Sequence, residues 1–451
     1  MDDVLADETL RNQKPFWVDV VQTEKLLGEI ADGILDVDPV LALIEMHVTN
    51  AMGFDHVELL VFPFAQVRVD RTRNRVTRWV LHNGTLFAVT SSGTVQALDA
   101  ETGANLWVTQ VGSGEHPTEG PAANDSYVAF VSGLQLYILS RDDGHLLWTE
   151  RVEGAVSAAP TLSSNYAFVA HFTGRIEGFS LDQPASPPWQ YQSAGRTFLS
   201  PTVTDSVVCW PTNTGFLYVA QADNPRILFR VETNDEIAST PATKTPYLYV
   251  TSLDGYLYCV HELTGFERWK YSTGFPITSK PAIVGEQAFV ASEGPMLHAV
   301  DVATGKPLWI VEGVQDFVAV GENHTYGMDR FGSLLVLDKA SGRIAGRLSA
   351  GTEVTAIAND QTDRIYLVSE RGLVQCLREV GADQPTFYRK ADDNEETTEE
   401  VDRDEDNLFL VEGEDTTPTV EEPALSEEIE NSLEDVDDET EPSDDTPFFQ
   451  F

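Results

Sequence analysis

Between about residue 76 and residue 390, short runs of β-branched and aromatic residues alternate with glycine-containing turns. In residues 86–99, for example, Leu-Phe-Ala-Val-Thr is followed by Ser-Ser-Gly and then by Thr-Val-Gln-Ala-Leu-Asp. Apolar runs of this length, separated by turn signals every ~8–12 residues, predict antiparallel strands joined in a meander.

The pattern repeats with a period close to 40 residues. The aromatic residue that ends a unit recurs, at spacings of 41, 41, 40, 40 and 40 residues, as Trp107, Trp148, Trp189, Phe229, Trp269 and Trp309. The glycine of the second turn recurs as Gly103, Gly144, Gly265 and Gly305. Eight units begin near residues 78, 121, 160, 201, 241, 281, 320 and 357. Sheets repeated at this period are typical of a propeller, so we predict an all-β, eight-bladed β-propeller of four-stranded antiparallel blades over residues 63–390.

The second turn of the best units reads Asp-x-x-Thr-Gly, and the tryptophan lies four residues beyond the glycine, as from Asp99 to Trp107. Aspartate there can accept backbone N–H bonds, and glycine supplies a positive φ. The indole opens the outer strand, where it can wedge against the neighbouring sheet. This motif resembles the PQQ-like (quinoprotein-like) repeat of quinoprotein alcohol dehydrogenases and of an outer-membrane assembly lipoprotein in the same superfamily. The resemblance implies eight blades.

Two segments compete to close the ring as the outer strand of the last blade. Residues 64–70 lie one repeat before the outer strand that contains Trp107. Residues 387–390 follow the last unit. We favour the N-terminal segment.

Residues 1–62 do not follow the repeat. Apolar spacing predicts a helix over residues 23–31, and Asp38 followed by Pro39 reads as an N-cap before a second helix that ends near Gly53. We therefore predict a small helical N-terminal extension that packs on the propeller. The alternative is a dimer or partner surface.

The last part of the chain, residues 391–451, contains 26 acidic residues and one basic residue, and we predict that it is disordered. Apolar islands interrupt it at Leu408, Phe409 and, near its end, at Phe448, Phe449 and Phe451. An acidic arm that ends in aromatic residues loosely resembles the C-terminal tip of bacterial single-stranded-DNA-binding proteins, which implies a docking peptide. The alternative is a solubilising tail.

The formal net charge of −44 comes partly from this tail and partly from the rest of the chain, which holds 47 acidic and 28 basic residues. Only 8 of the basic residues of the whole chain are lysines. An acidic, lysine-poor body is typical of proteins from halophiles. The charge also argues against direct binding of nucleic acid or of an anionic membrane, because both depend on Lys and Arg. The one basic cluster, Arg68 to Arg78, reads as an outer strand that pairs with acidic neighbours, or alternatively as a receptor for an acidic segment.

The N-terminus shows neither the basic region nor the apolar run of a signal peptide, and no apolar stretch reaches ~18 residues. The three cysteines, Cys209, Cys259 and Cys376, are far apart and lie in apolar runs, so we interpret them as buried free thiols. These features together predict a cytoplasmic protein.

Candidate chemistry is weak. The quinoprotein resemblance would imply PQQ on an adjacent-cysteine disulfide, a Ca²⁺ site and an Asp base, yet no cysteines are adjacent. Candidate acids and amides, which we interpret as turn or rim residues, are Asp205, Asn213, Asp254 and Asp329. The nine histidines lack paired ligand spacing, and Cys-x-x-Cys does not occur.

The sequence therefore predicts a non-enzymatic protein-interaction scaffold that needs no cofactor. The propeller faces would bind one protein partner, and the acidic tail would dock a second. The alternatives are a PQQ- or ligand-binding quinoprotein oxidoreductase, and an acidic tail that sequesters basic or nucleic-acid-binding proteins.

Overall fold

The computed structural model describes residues 75–112, 115–223, 226–350 and 354–388 in full, together with the backbone of three N-terminal strands. These N-terminal strands are β1 (Ile44–Val48), β2 (Val57–Val61) and β3 (Ala65–Gln66). The described residues form an eight-bladed β-propeller of four-stranded antiparallel blades, and they contain no helix. Within them, therefore, nothing has the length and apolarity of a membrane-crossing helix.

The first four blades occupy the N-terminal half of the ring. Blade 1 contains β4 (Val76–His82), β5 (Thr85–Thr90), β6 (Thr94–Asp99) and β7 (Asn105–Gln110). Blade 2 contains β8 (Thr118–Ala123), β9 (Tyr127–Ser132), β10 (Gln135–Ser140) and β11 (Leu146–Arg151). Blade 3 contains β12 (Thr161–Leu162), β13 (Tyr166–Ala170), β14 (Arg175–Ser180) and β15 (Trp189–Gln192). Blade 4 contains β16 (Thr202–Val203), β17 (Val207–Pro211), β18 (Phe216–Gln221) and β19 (Ile227–Glu232).

The next blades continue the same meander. Blade 5 contains β20 (Ala242–Lys244), β21 (Tyr247–Thr251), β22 (Tyr256–His261) and β23 (Glu267–Ser272). Blade 6 contains β24 (Ala282–Val284), β25 (Gln287–Ser292), β26 (Met296–Asp301) and β27 (Pro307–Glu312). Blade 7 contains β28 (Asp316–Val320), β29 (His324–Met328), β30 (Ser333–Asp338) and β31 (Ile344–Ser349). Blade 8 takes β32 (Val354–Ile357), β33 (Ile365–Ser369) and β34 (Leu373–Glu379) from the C-terminal part of the ring.

Blade 8 is completed from the N-terminal side. In β3, Ala65 pairs with Val374 of β34, and in β2, Val61 pairs with Leu377. This pairing confirms the prediction that the N-terminal segment closes the ring. Of the competing segment, the structure describes residues 387 and 388, which do not pair with β34; Phe387 instead forms an isolated bridge with Thr362.

The predicted helix from Asp38 to Gly53 is wrong where the structure describes it, because residues 44–48 form β1 and pair with β2. The sequence Ile-Glu-Met-His-Val alternates apolar and polar side chains, which is the period of a strand, and it is β-branched at both ends. Pairing with β2 satisfies the backbone hydrogen-bonding groups of β1, and this outweighs the helix-start signal of Asp38 and Pro39. The predicted helix over residues 23–31 lies outside the described residues.

The core lies between the blades. The second and third strands of a blade are buried on both faces, so one cluster joins Phe87 and Val95 of blade 1 with Val128 and Phe130 of blade 2. Stacked sheets of this kind bury apolar side chains without a single central core.

The repeated tryptophan connects neighbouring blades. Trp269 of blade 5 lies over Gly305 in the turn between the third and fourth strands of blade 6, and its Nε1 donates a 2.9 Å hydrogen bond to the Val302 carbonyl there. Trp107 makes the same contact with Gly144 and the Arg141 carbonyl at 2.7 Å.

Some blades vary this contact. In blade 4 the aromatic residue is Phe229, which packs on Gly265 without a hydrogen bond from its ring. Trp148 packs in the core between blades 2 and 3, and the ring centroid of Trp189 lies 6.1 Å from that of Trp210.

Candidate partner-binding face

The meander gives the propeller two faces with different sequences. We call one the loop face; it carries the turns between the second and third strands of each blade and the connections from one blade to the next. We call the other the turn face; it carries the remaining turns, which include the Asp-x-x-Thr-Gly motifs. Candidate partner contacts are found on the loop face.

The carboxylates of the repeated motif on the turn face are used for structure. Asp99 accepts hydrogen bonds of 2.7 Å from both the backbone N–H and the hydroxyl of Thr102. Asp301 accepts the same two bonds from Thr304, and these bonds lower the pKa of the Asp301 carboxyl. The predicted acceptor role of the turn aspartate is therefore observed, and it leaves these groups committed to holding the turns.

The loop face is held by backbone hydrogen bonds between blades. The N–H of Leu253, in the blade 5 turn, donates to the Glu236 carbonyl of the connection between blades 4 and 5 at 2.9 Å. The N–H of Asn213, in the blade 4 turn, donates to the Arg196 carbonyl of the preceding connection, also at 2.9 Å. Loops fixed in this way pay little ordering entropy when a partner binds.

Large apolar side chains project from this face. In the turns and connections of blades 2 to 7, the exposed ones are Leu134, Phe172, Phe198, Phe275 and Phe331. The rings of Phe172 and Phe198 contact each other edge-on with centroids 6.0 Å apart. The Arg330 guanidinium lies 4.7 Å from the centroid of the Phe331 ring, which is 62% exposed. Exposed aromatic residues on a rigid surface are typical hot spots of protein interfaces.

A buried ionic network lies beneath the Phe172–Phe198 pair. His171 Nε2 and Glu177 Oε2 are 3.0 Å apart, and both side chains are buried. Arg175 bridges Glu177 at 2.6 Å to Glu153 at 2.8 Å, and Glu153 is exposed at the surface. His171 Nδ1 is buried and has no hydrogen-bond partner among the described residues.

The prediction from sequence missed this network, although the repeat contained a signal. Each blade has an equivalent position at the end of its second strand or directly after it. In blade 3 this position is occupied by His171. In the other blades it is Thr90, Ser132, Thr212, Ser252, Ser292, Asp329 and Ser369. A histidine in a column of small hydroxyl and Asp residues marks blade 3 as different from the rest of the ring.

A cleft opens on the loop face near the mouth of the central funnel, between blades 6 and 8. One lobe has a volume of about 400 Å³ and the other about 440 Å³, and both are lined by Ser279, Asp316 and Arg330. Val354 and Thr355 of blade 8 form the far wall of the second lobe.

The acids and amides considered as candidates from the sequence do not converge. Asp254 holds its own turn, accepting 3.0 Å and 2.6 Å hydrogen bonds from the Tyr256 N–H and the Tyr258 hydroxyl. Asp329 pairs with Arg347 at 3.0 Å, and Asn213 accepts the Arg196 N–H at 2.8 Å. Asp205 lies in a turn on the opposite face of blade 4. These positions agree with their interpretation as turn and rim residues.

The residues present do not fit a PQQ and Ca²⁺ site. Among the described residues no three His, Cys, Asp or Glu side chains are grouped to hold a metal. All three cysteines are free and buried, as predicted. The predicted docking residues Leu408, Phe409, Phe448, Phe449 and Phe451 lie outside the described residues.

Comparison with known proteins supports this architecture. A family profile described as outer membrane protein assembly factor BamB matches residues 91–224 and 213–348. The chain is 24% identical over 243 residues to BamB of Burkholderia pseudomallei; the match covers 50% of this chain and 62%, less than two thirds, of the relative. It is 25% identical over 284 residues to BamB of Shewanella oneidensis, covering 56% of this chain and 68% of the relative.

Solved structures show the same fold. The crystal structure of BamB from Moraxella catarrhalis superimposes with a TM-score of 0.57 at 18% identity, covering 71% of this chain and 99% of the other. The computationally designed Ika8 protein gives a TM-score of 0.55 at 16% identity, covering 67% and 96%. At these identities the likeness concerns the fold alone.

The expected cytoplasmic location is wrong. The matched family and both relatives are named for the assembly of outer-membrane proteins, and this overturns an expectation that rested only on the composition of the N-terminus and the cysteines. The propeller of PQQ-like repeats also agrees with the resemblance carried by the Asp-x-x-Thr-Gly and tryptophan motif. The chain belongs to the PQQ-like β-propeller family described as outer membrane protein assembly factor BamB.

Proposed function

We propose that this protein is a non-enzymatic scaffold of a protein assembly complex, and that the loop face of its propeller binds a protein partner. The single observation that carries the proposal is the set of exposed phenylalanines on a face whose backbone is fixed between blades. The names of the relatives, which are assembly factors, support a role in assembly rather than in catalysis.

The Phe172–Phe198 pair is the proposed centre of this interface. Two adjoining rings that are 45% and 43% exposed offer an apolar anchor. The neighbouring Arg196 side chain is exposed and adds a polar contact at its rim. Aromatic residues and arginine dominate the binding energy of most protein interfaces.

The acidic segment 391–451 is proposed to recruit a second partner. Its composition supports a flexible arm, and Phe448, Phe449 and Phe451, with Leu408 and Phe409 earlier in the segment, would be its anchors. A linker of this kind raises the local concentration of the second partner near the propeller.

The experiment is affinity purification from the native host after crosslinking, with quantitative mass spectrometry. We compare the full chain, the double variant Phe172→Ser/Phe198→Ser, and a chain that ends at Thr446. The matched control, Leu263→Ser/Phe266→Ser, removes two exposed apolar side chains from the turn face.

The loop-face variant is expected to lose one set of crosslinked proteins by tenfold or more, which corresponds to about 1.4 kcal/mol. The shortened chain is expected to lose a different set, and the control variant none. Equal recovery by the loop-face and turn-face variants would refute the role of the loop face. Equal recovery by the full and shortened chains would refute docking by the tail.

A further inference from the structure

The cleft between blades 6 and 8 contains a carboxylate that departs from the internal repeat. In four other blades a hydroxyl on the first strand, or just before it, donates to a carbonyl near the end of the second strand. Examples are Ser279 to the Ala291 carbonyl at 2.7 Å and Thr355 to the Val368 carbonyl at 3.4 Å. In blade 7 this place is taken by Asp316, an acceptor when ionised.

The register of the strands establishes the equivalence. Thr355 lies opposite Val368, one residue before the end of β33, and Asp316 lies opposite Met328, the last residue of β29 before the turn at Asp329. The carboxylate therefore replaces a hydroxyl that elsewhere fastens the first strand to the second. The replacement of the hydroxyl by Asp316 removes a hydrogen bond that stabilises four other blades. A role of Asp316 in binding explains why an acidic residue occupies this position.

The Asp316 carboxylate has no hydrogen bond or ion pair among the described residues. Partial burial in the cleft raises the pKa of this carboxyl. A carboxylate that has lost part of its hydration and gained no partner binds a cation more strongly than one in open solvent.

The cations that line the cleft do not pair with this carboxylate. The Arg330 guanidinium lies over the Phe331 ring, and Lys280 lines only the second of the two lobes. The first lobe also contains Glu293, so acidic groups outnumber basic ones there. This lobe is therefore complementary to a positive charge.

We propose that the cleft between blades 6 and 8 receives a lysine or arginine side chain of the protein partner, which forms an ion pair with Asp316. The proposal rests on the proposed function, because it adds a charged specificity contact to the interface on the loop face. The apolar wall formed by Met328 and Val354 would hold the methylene stem of that side chain.

The first test measures the charge preference of the cleft without any partner. A Thr355→Cys variant places an exposed thiol on the wall of the second lobe, which Asp316 also lines. The native cysteines do not compete, because burial raises the pKa of Cys209 and Cys376 to about 12 and that of Cys259 to about 11. The variant is equilibrated with cystamine, which leaves an ammonium group, and with hydroxyethyl disulfide, which leaves a neutral hydroxyl.

Intact mass should show the ammonium adduct favoured about fivefold over the hydroxyl adduct, and less than about twofold after the further change Asp316→Asn. The matched control is Ala303→Cys, an exposed site beside Asp301, whose carboxylate already accepts two hydrogen bonds from Thr304. The same preference in the Asp316→Asn background, or at the control site, would overturn the proposal.

The second test addresses the source of the cation. Calorimetry compares the capped peptide Gly-Val-Arg-Val-Gly with the peptide that carries neutral citrulline instead of arginine, and with arginine amide. The arginine peptide should bind about tenfold more tightly than the other two, and Asp316→Asn should abolish the difference. Equal binding of arginine amide would refute a polypeptide occupant. Because neither test involves Phe172 or Phe198, failure here is distinguishable from failure of the proposed function.

Discussion

The guanidinium of Arg364 in blade 8 lies 2.9 Å from the carboxylate of Glu101 in blade 1. The Arg364 side chain is completely buried, and its Nη1 also contacts Asp363 at 3.0 Å. This contact joins the first and last blades on the turn face, whereas β2 and β3, which precede blade 1 in the sequence, pair with β34 of blade 8. The ring is therefore closed twice, once by strand pairing and once by a buried ion pair.

Breaking this ion pair should destabilise the ring. Glu101→Gln preserves the shape of the side chain but removes its charge, and it leaves a buried guanidinium with Asp363 as its remaining carboxylate. We expect the free energy of unfolding to fall by about 2–3 kcal/mol, because a completely buried guanidinium that loses one of its two carboxylate partners is costly. Urea denaturation followed by tryptophan fluorescence measures the change.

An exposed ion pair of equal length provides the control. Lys244 and Glu286 are also 2.9 Å apart, but the Glu286 side chain is 78% exposed. Glu286→Gln should change the free energy of unfolding by less than about 0.5 kcal/mol, since exposed pairs contribute little. A loss at Glu101 no larger than the loss at Glu286 would contradict a stabilising role for ring closure through Arg364.

Glu262 in blade 5 should reduce stability at neutral pH. Its side chain is buried, one carboxyl oxygen has no partner among the described residues, and burial raises its pKa despite a hydrogen bond from Thr204. The folded state therefore holds the proton more tightly than the unfolded state, and stability falls as pH rises above the unfolded pKa of about 4.3. Glu262→Gln should raise the free energy of unfolding by about 1 kcal/mol at pH 7.

The gain from Glu262→Gln should disappear below about pH 4, where the carboxyl is protonated in both states. Chemical denaturation at pH 4 and pH 7 measures it. Glu267→Gln, an exposed change in the adjoining strand β23, should have little effect at either pH. A gain that is independent of pH would show that repacking, and not ionisation, is responsible.

Glu177 in blade 3 should behave in the opposite way. Burial tends to raise its pKa, but the hydrogen bond from His171 and the charges of His171 and Arg175 outweigh it, so the pKa is lowered. Stability from this carboxylate is present above the unfolded pKa and is lost as pH falls through the folded pKa. Glu177→Gln should cost about 2–3 kcal/mol at pH 7 and progressively less towards pH 4. Titration of the free energy of unfolding against pH in the two proteins tests this; parallel curves would contradict it.

The fold was predictable because the residues that form its turns and its contacts between blades are determined by local chemistry. Gly93 and Gly255 end the turns between the second and third strands of their blades, and Asp99 and Asp301 accept hydrogen bonds in the turns between the third and fourth strands. Trp107 donates a hydrogen bond to the next blade. Each of these residue types has a local chemical reason for its position. The N-terminal strand β1 was mistaken for a helix because the N-cap signal of Asp38 and Pro39 was given more weight than the short strand-like alternation of residues 44–48, which pairing with β2 stabilises.

The candidate site was less predictable than the fold, because its residues are exceptions to the repeated pattern and are not part of the motif that defines the repeat. His171 directly follows β13 and Glu177 lies in β14, six positions later, so their contact follows from the hairpin register between these two strands. The departure of Asp316 from the repeat depends on strand register, because Asp316 lies opposite Met328 in the place that Thr355 holds opposite Val368. Exposure of Phe172 and Phe198 likewise depends on which face each turn occupies.

The contact between tryptophan and glycine should make Gly305 intolerant of any side chain. Gly305 has φ +70°, and an added Cβ would lie 2.5 Å from the Trp269 ring. Gly285 has φ +55° with open space around it, so Gly285→Ala isolates the backbone cost of about 1 kcal/mol. Gly305→Ala should cost about 1–3 kcal/mol more, because the indole must shift and stretch its bond to the Val302 carbonyl. Urea denaturation of both variants measures the difference, and a red-shifted tryptophan emission in Gly305→Ala alone would report the displaced ring. Equal losses in the two variants would mean that the glycine is required for its φ and that the packing of Trp269 between blades contributes little.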